Sequence, residues 1–99
     1  MPKYYYSTYA NHCFRFYFRY DRPKNNSEVS YRNWITCDNV VSNYKDEIKE
    51  ILKYLYINYN DINSVIVNTI ASKFKIKPQT LWALINECTR TFAELRGLI

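Results

Sequence analysis

The stretch Val67–Asn86, VNTIASKFKIKPQTLWALIN, decides how the C-terminal half of this chain folds. Its apolar residues fall where two helices joined by a short turn would bury them, at Ile70, Phe74, Ile76, Leu81 and Leu84. Ala71 stands where the two helices would cross closely, because a larger side chain would overpack the contact. Lys77-Pro78 predicts the start of the second helix, since proline at the first helical position loses no hydrogen bond.

The spacing of these residues resembles the helix-turn-helix of phage repressors and related bacterial regulators. The resemblance covers only the C-terminal third of the chain, and Lys75 stands where the turn usually has glycine. A non-glycine residue in a left-handed turn costs roughly 1 kcal/mol, which a folded domain tolerates. The resemblance implies a DNA-binding module.

If the helices dock as in that family, the start of the second one faces the bases. Gln and Asn pair bidentately with adenine, Thr and Ala touch the thymine methyl group, and Lys reaches phosphate. The residues predicted to bind nucleic acid are Lys73, Lys75, Lys77, Gln79, Thr80, Ala83, Asn86 and Arg90.

Charge supports a polyanionic partner. The formal net charge is +5, and Lys73, Lys75 and Lys77 occur together with no acid between Ser72 and Thr80. Lysine clusters bind phosphate backbones by releasing counterions. The same charge also fits a solvated loop on a soluble protein, so charge alone does not assign the function.

Composition predicts one globular, cytoplasmic domain over residues 1–99. The chain is 47% hydrophobic, yet it has no apolar run long enough to cross a bilayer and no signal-peptide core near Met1. Its three cysteines are widely spaced without a CxxC pair, which favours reduced thiols. A zinc site using His12 and Cys13 would lack the usual paired spacing.

The residue inventory argues against an enzyme. His12 is the only histidine, and its neighbours give no triad or metal spacing. Gly97 is the only glycine, so no glycine-rich phosphate loop can be built. We therefore expect no catalytic residue, no cofactor and no metal.

The N-terminal part has a two-residue period that predicts strands. Phe14, Phe16, Phe18 and Tyr20 alternate with polar or basic residues, and Tyr4, Tyr6 and Thr8 form a second run. A turn at 10–12 and a third strand at 31–37 complete a hairpin or three-stranded meander. The predicted fold class is α+β, with a β-rich part over 1–37 and a helical part over 42–99.

Three helices are predicted after this sheet. The first of these helices can be capped at its N-terminus by Asp38, Ser42 or Asn43, and it ends near Asn58. The second runs from about 63 or 64 to 73, and the third from 78 to 96, ending before Gly97.

Two functions follow from these features. The first is a small transcriptional regulator, of the kind encoded by phages or mobile elements, that binds double-stranded DNA as a homodimer. The alternative is a viral inhibitor of a host defence nuclease, similar to anti-CRISPR proteins, that binds a host protein. Its interface residues would be Trp82, Arg15, Tyr17 and Arg19. Trp82 could instead be covered by the sheet.

Overall fold

The structure is a computed structural model that describes residues 6–23 and 28–99, and within them the chain is entirely helical. The helices are α1 (Ser7–Arg19), α2 (Glu28–Ser42), α3 (Asp46–Asn58), α4 (Ser64–Phe74) and α5 (Pro78–Leu95). No strand occurs in these residues. The predicted α+β class, with its N-terminal hairpin or meander, is therefore wrong.

The predicted strand at 14–20 lies almost entirely in α1. Its buried residues follow a helical spacing: Ala10, Cys13 and Phe14 are buried, whereas Phe16 is 41% exposed. The predicted turn at 10–12 lies inside the same helix. Tyr6 and Thr8 stand at its start, and Tyr4 lies outside the described residues. This segment has aromatic residues at most positions, so its pattern fits both the two-residue period of a strand and the 3.6-residue period of a helix. The alternation in the sequence therefore did not discriminate between a strand and a helix.

The predicted third strand and the predicted caps after it belong to a single helix, α2. Thr36, Cys37, Val40 and Val41 form its buried face. The Ser42 hydroxyl donates back to the carbonyl of Asp38 at 2.6 Å, which is helical rather than capping geometry.

The three C-terminal helices agree closely with the sequence prediction. The observed ends of α4 and of α5 lie within about one residue of the predicted ends. The first of the three, α3, starts at Asp46, and its cap residue is Lys45 rather than Asp38, Ser42 or Asn43.

The core lies where α1 meets α3 and α5. The Phe14 ring stacks on Tyr56 of α3 at 5.5 Å and tilts against Phe92 of α5 at 5.8 Å between centroids. The buried Tyr56 hydroxyl donates to Asn11 Oδ1 at 2.7 Å, so this buried polar group is satisfied.

Helix α2 runs antiparallel to α5. Arg96, just after α5, donates to Asn33 near the start of α2 at 2.9 Å. Tyr44, just after α2, donates to Glu87 in the middle of α5. Helices α1, α2 and α4 all contact α5.

None of the described helices combines the length and the apolar character needed to span a membrane.

Candidate nucleic-acid interface

The turn between α4 and α5 is built from local backbone bonds. The amide of Ile76 donates to the carbonyl of Ala71 at 2.9 Å, and the amide of Lys75 donates to Ser72 at 3.3 Å. This pair of bonds is the Schellman arrangement that ends many helices. Three residues later the chain is helical again, with Pro78 at the first position of α5.

Lys75 adopts the left-handed conformation that this turn needs. Its φ is 58° and its ψ is 44°, and it is the only non-glycine residue with positive φ in the described part of the chain. The position is therefore one where glycine would be unstrained. Ala71, which is 1% exposed, and the buried Leu81 of α5 both belong to the hydrophobic core.

The first two turns of α5 present short polar and small side chains to solvent. Gln79, Thr80 and Ala83 are exposed, and Asn86 is partly buried. Gln79 and Ala83 are four residues apart, and Thr80, Ala83 and Asn86 follow one another at intervals of three, so these residues share one side of the helix. A face of this kind is narrow enough to enter a DNA major groove, which is about 12 Å wide.

All three predicted phosphate-binding lysines are exposed, and none forms an ion pair with another described residue. The Lys73 ammonium lies 5.0 Å from the centre of the Tyr54 ring, which holds it against α3. Lys75 forms the corner itself, and Lys77 stands just before α5. Because the sequence has no acid between Asp61 and Glu87, nothing on this stretch offsets their charge.

Acidic residues enter only in the second half of α5. Arg90 lies 3.6 Å from Glu94, so its charge is partly neutralised. Glu87 is exposed and accepts a hydrogen bond from Tyr44. Burial and this contact with Glu87 raise the pKa of the Tyr44 hydroxyl, which therefore stays a donor at neutral pH. Glu87 is the first acid after the lysines in the sequence.

Arg15 and Arg19 form hydrogen bonds within the chain, although Arg19 is exposed. Arg19 Nε donates to the carbonyl of Tyr56 at 2.8 Å, and Arg15 Nε donates to that of Tyr59 at 3.3 Å. Both carbonyls belong to the C-terminal end of α3, where a helix leaves acceptors unpaired and favours positive charge. The two guanidinium groups cap a helix; they do not form a basic sheet surface.

Tyr17 and Trp82 are partly buried. The Tyr17 hydroxyl donates to Asp38 at 2.6 Å, and its ring packs on Trp34 at 5.3 Å. Trp82 packs against the core at the edge of the α5 face, where no described strand covers it. Of the four predicted protein-interface residues, Arg15, Tyr17 and Arg19 thus make hydrogen bonds within the described chain, whereas Trp82 makes none.

The described residues offer no metal cluster of His, Cys, Asp and Glu. Cys13, Cys37 and Cys88 are buried free thiols. Burial raises the pKa of Cys13 and of Cys88 to about 11, so both remain protonated and unreactive at neutral pH.

No family model, curated protein or solved structure matches this chain.

Proposed function

We propose that this protein binds double-stranded DNA as a small transcriptional regulator, with α4 and α5 acting as a helix-turn-helix. The observation that carries the proposal is the surface formed by the corner and the start of α5. It is exposed, no acid occurs in the sequence between Asp61 and Glu87, and it combines lysines that have no described ion pair with side chains suited to base edges. Glu50 of α3 lines a pocket together with Phe74, next to these lysines.

Each part of this surface has a role in the proposal. The ammonium groups of Lys75 and Lys77 bind phosphates on either side of the groove, and Lys73 adds a third contact. The first turns of α5 lie in the major groove, where Gln79 pairs with adenine and Ala83 contacts a thymine methyl group. Such a face favours a site containing A·T pairs.

The inhibitor alternative has less support from the contacts. Interface energy concentrates in aromatic and arginine side chains that are free to enter a partner's pocket. Arg15, Arg19 and Tyr17 instead make hydrogen bonds within the chain. A partner that used them would first have to break those bonds.

The proposal is tested by fluorescence anisotropy with labelled duplexes selected from a random pool, at several salt concentrations. Lys77→Gln should weaken binding to all duplexes and lower the salt slope by about one. Gln79→Ala should instead remove discrimination at one base pair, worth about 1–3 kcal/mol.

The matched control is Arg32→Gln, which also removes one positive charge. Arg32 lies beside Leu95 and Arg96, at the far end of the 18-residue α5, about 27 Å from its start. The Arg32→Gln substitution should leave the DNA affinity and the salt slope of binding unchanged. A wild-type protein that binds every duplex equally, or a control as damaging as Lys77→Gln, would contradict the proposal.

A further inference from the structure

A groove lies between α3 and α4, next to the corner that Lys75 forms. It has a volume of about 190 Å³, and its lining includes Glu50, Lys53 and Tyr54 of α3 and Phe74 of α4. The Tyr54 and Phe74 rings contact each other edge to face, with 5.6 Å between their centroids. Because Phe74 is the last residue of α4, the groove adjoins the surface proposed to bind DNA.

Two lysines lie at this groove, one from each helix. Lys53 lines it from α3. The Lys73 ammonium of α4 lies 5.0 Å from the centre of the Tyr54 ring and 5.9 Å from the centre of the Phe74 ring, and both rings line the groove. The positive charge of the corner therefore continues from α4 onto α3.

Neither lysine forms an ion pair within the described residues. By contrast, the Lys49 ammonium, one turn earlier on α3, lies 3.9 Å from the Asp46 carboxylate. Glu50 is the acid that lines the groove, and it forms an ion pair with neither Lys53 nor Lys73. Two ammonium groups and one carboxylate leave the groove with a positive balance, which attracts a phosphate.

We propose that Lys53 is a further phosphate-binding residue, so that bound DNA lies against α3 as well as against α4 and α5. This inference rests on the proposed function. One DNA strand presents a phosphate about every 3.4 Å along the duplex axis, so a backbone bound at Lys75 and Lys77 presents further phosphates beyond them. Lys73 and Lys53 bind the phosphates that follow toward α3. The Tyr54 ring holds the Lys73 ammonium in place for this contact.

The test is the salt dependence of binding to a selected duplex, measured by fluorescence anisotropy. Lys53→Gln should weaken binding to every duplex and lower the salt slope by about one. Its loss of affinity relative to wild type should shrink about threefold between about 50 and 200 mM salt. Lys45→Gln is the matched control and should change neither quantity. Lys45 is also exposed and without a described ion pair, but it precedes α3 and lies about 12 Å from Lys53 along the helix axis.

Glu50→Gln should change the affinity in the opposite direction. Its carboxylate repels the phosphates that Lys53 attracts, so removing the charge should strengthen binding to every duplex, most of all at low salt. A damaged fold would weaken binding instead. Glu28→Gln is the control for loss of an acid and should leave the affinity unchanged. Glu28 is exposed on α2, where it forms an ion pair with Arg32, far from the start of α5.

All four substituted side chains are exposed, so the circular dichroism spectra should match that of wild type. The inference is overturned by an unchanged salt slope for Lys53→Gln, by unchanged or weaker binding of Glu50→Gln, or by an equal loss in Lys45→Gln. If Lys77→Gln weakens binding and Lys53→Gln does not, this inference fails and the proposed function stands. If the wild type binds no duplex, both fail.

Discussion

Lys75 shows how one residue can both shape a turn and contribute charge. Its backbone is left-handed, with φ 58°, while its ammonium group lies on the exposed corner between α4 and α5. Glycine would avoid the strain of this conformation, but it would also remove a positive charge. Within the proposed function, the chain accepts backbone strain at the position where a phosphate contact is useful.

Lys75→Gly should therefore stabilise the fold by about 1 kcal/mol, because the left-handed penalty is removed. In a domain of this size that corresponds to a rise in melting temperature of about 4–8 °C. Lys73→Gly is the control: the same substitution inside α4 should destabilise by about 0.5–1 kcal/mol. If the two substitutions shift the melting temperature in the same direction, the strain at Lys75 does not limit the stability of the fold.

Arg19 shows the limit of reading a residue without its neighbours. Its alternation with aromatic residues predicted a basic strand face. In the structure it lies on a helix and donates to Tyr56 and Tyr59 carbonyls, which are 37 and 40 positions away in the sequence. Nothing near Arg19 in the sequence indicates that the end of another helix needs a donor there.

At the scale of elements, α4 and α5 follow from short-range rules. Asn63 Oδ1 accepts from the amide of Ile66 at 3.0 Å as the cap of α4, and Pro78 begins α5. The small Ala71 of α4 is buried in the hydrophobic core. Each signal acts within about one helical turn, so the sequence displays it directly.

Ala71→Leu should destabilise the protein by about 1–3 kcal/mol, because the added volume overpacks this helix contact. Ala83→Leu is the matched control, since Ala83 is exposed on α5; its effect should stay within about 0.5 kcal/mol. Urea unfolding followed by circular dichroism measures both. Equal stability of the two variants would show that Ala71 is not tightly packed.

At the scale of the whole molecule, the core combines aromatic rings with thiols from three helices. Cys13 of α1, Cys37 of α2 and Cys88 of α5 are all buried. Burial raises the pKa of each thiol, since a thiolate would lose its hydration. The protein therefore holds its thiols in the protonated form.

We expect stability to fall at alkaline pH for this reason. Between pH 9 and about 11, Cys13 and Cys88 lose their protons in the unfolded chain but keep them in the folded one. The unfolded state then binds fewer protons, so the free energy of unfolding decreases as pH rises, by on the order of 2 kcal/mol per thiol at the end of the range.

Urea unfolding in reducing buffer at pH 7.5, 9 and 10 checks this expectation. Stability should be flat to about pH 8.5 and then decrease, and Cys88→Ala should reduce the slope even if it lowers the starting stability. Stability that stays flat to pH 10 would mean that the thiols do not titrate differently in the two states.

The helical part from α3 onward and the turn at Lys75 could be predicted from sequence because caps, proline and a small residue at a crossing act on neighbouring residues. The lysines and the start of α5 were placed on the surface by the same periodicity. The N-terminal part could not be predicted this way. Aromatic residues occupy so many positions there that a period of two and a period of 3.6 both fit.

Contacts distant in sequence settle that ambiguity. Phe14 packs on Tyr56 and Phe92, so α1 turns Ala10, Cys13 and Phe14 inward and leaves Phe16 and Tyr20 outside. The same packing brings Arg15 and Arg19 to the end of α3. Which aromatic residues form the core and which stay exposed depends on how three helices meet, because burial is a property of the assembled fold and the local pattern allowed either outcome.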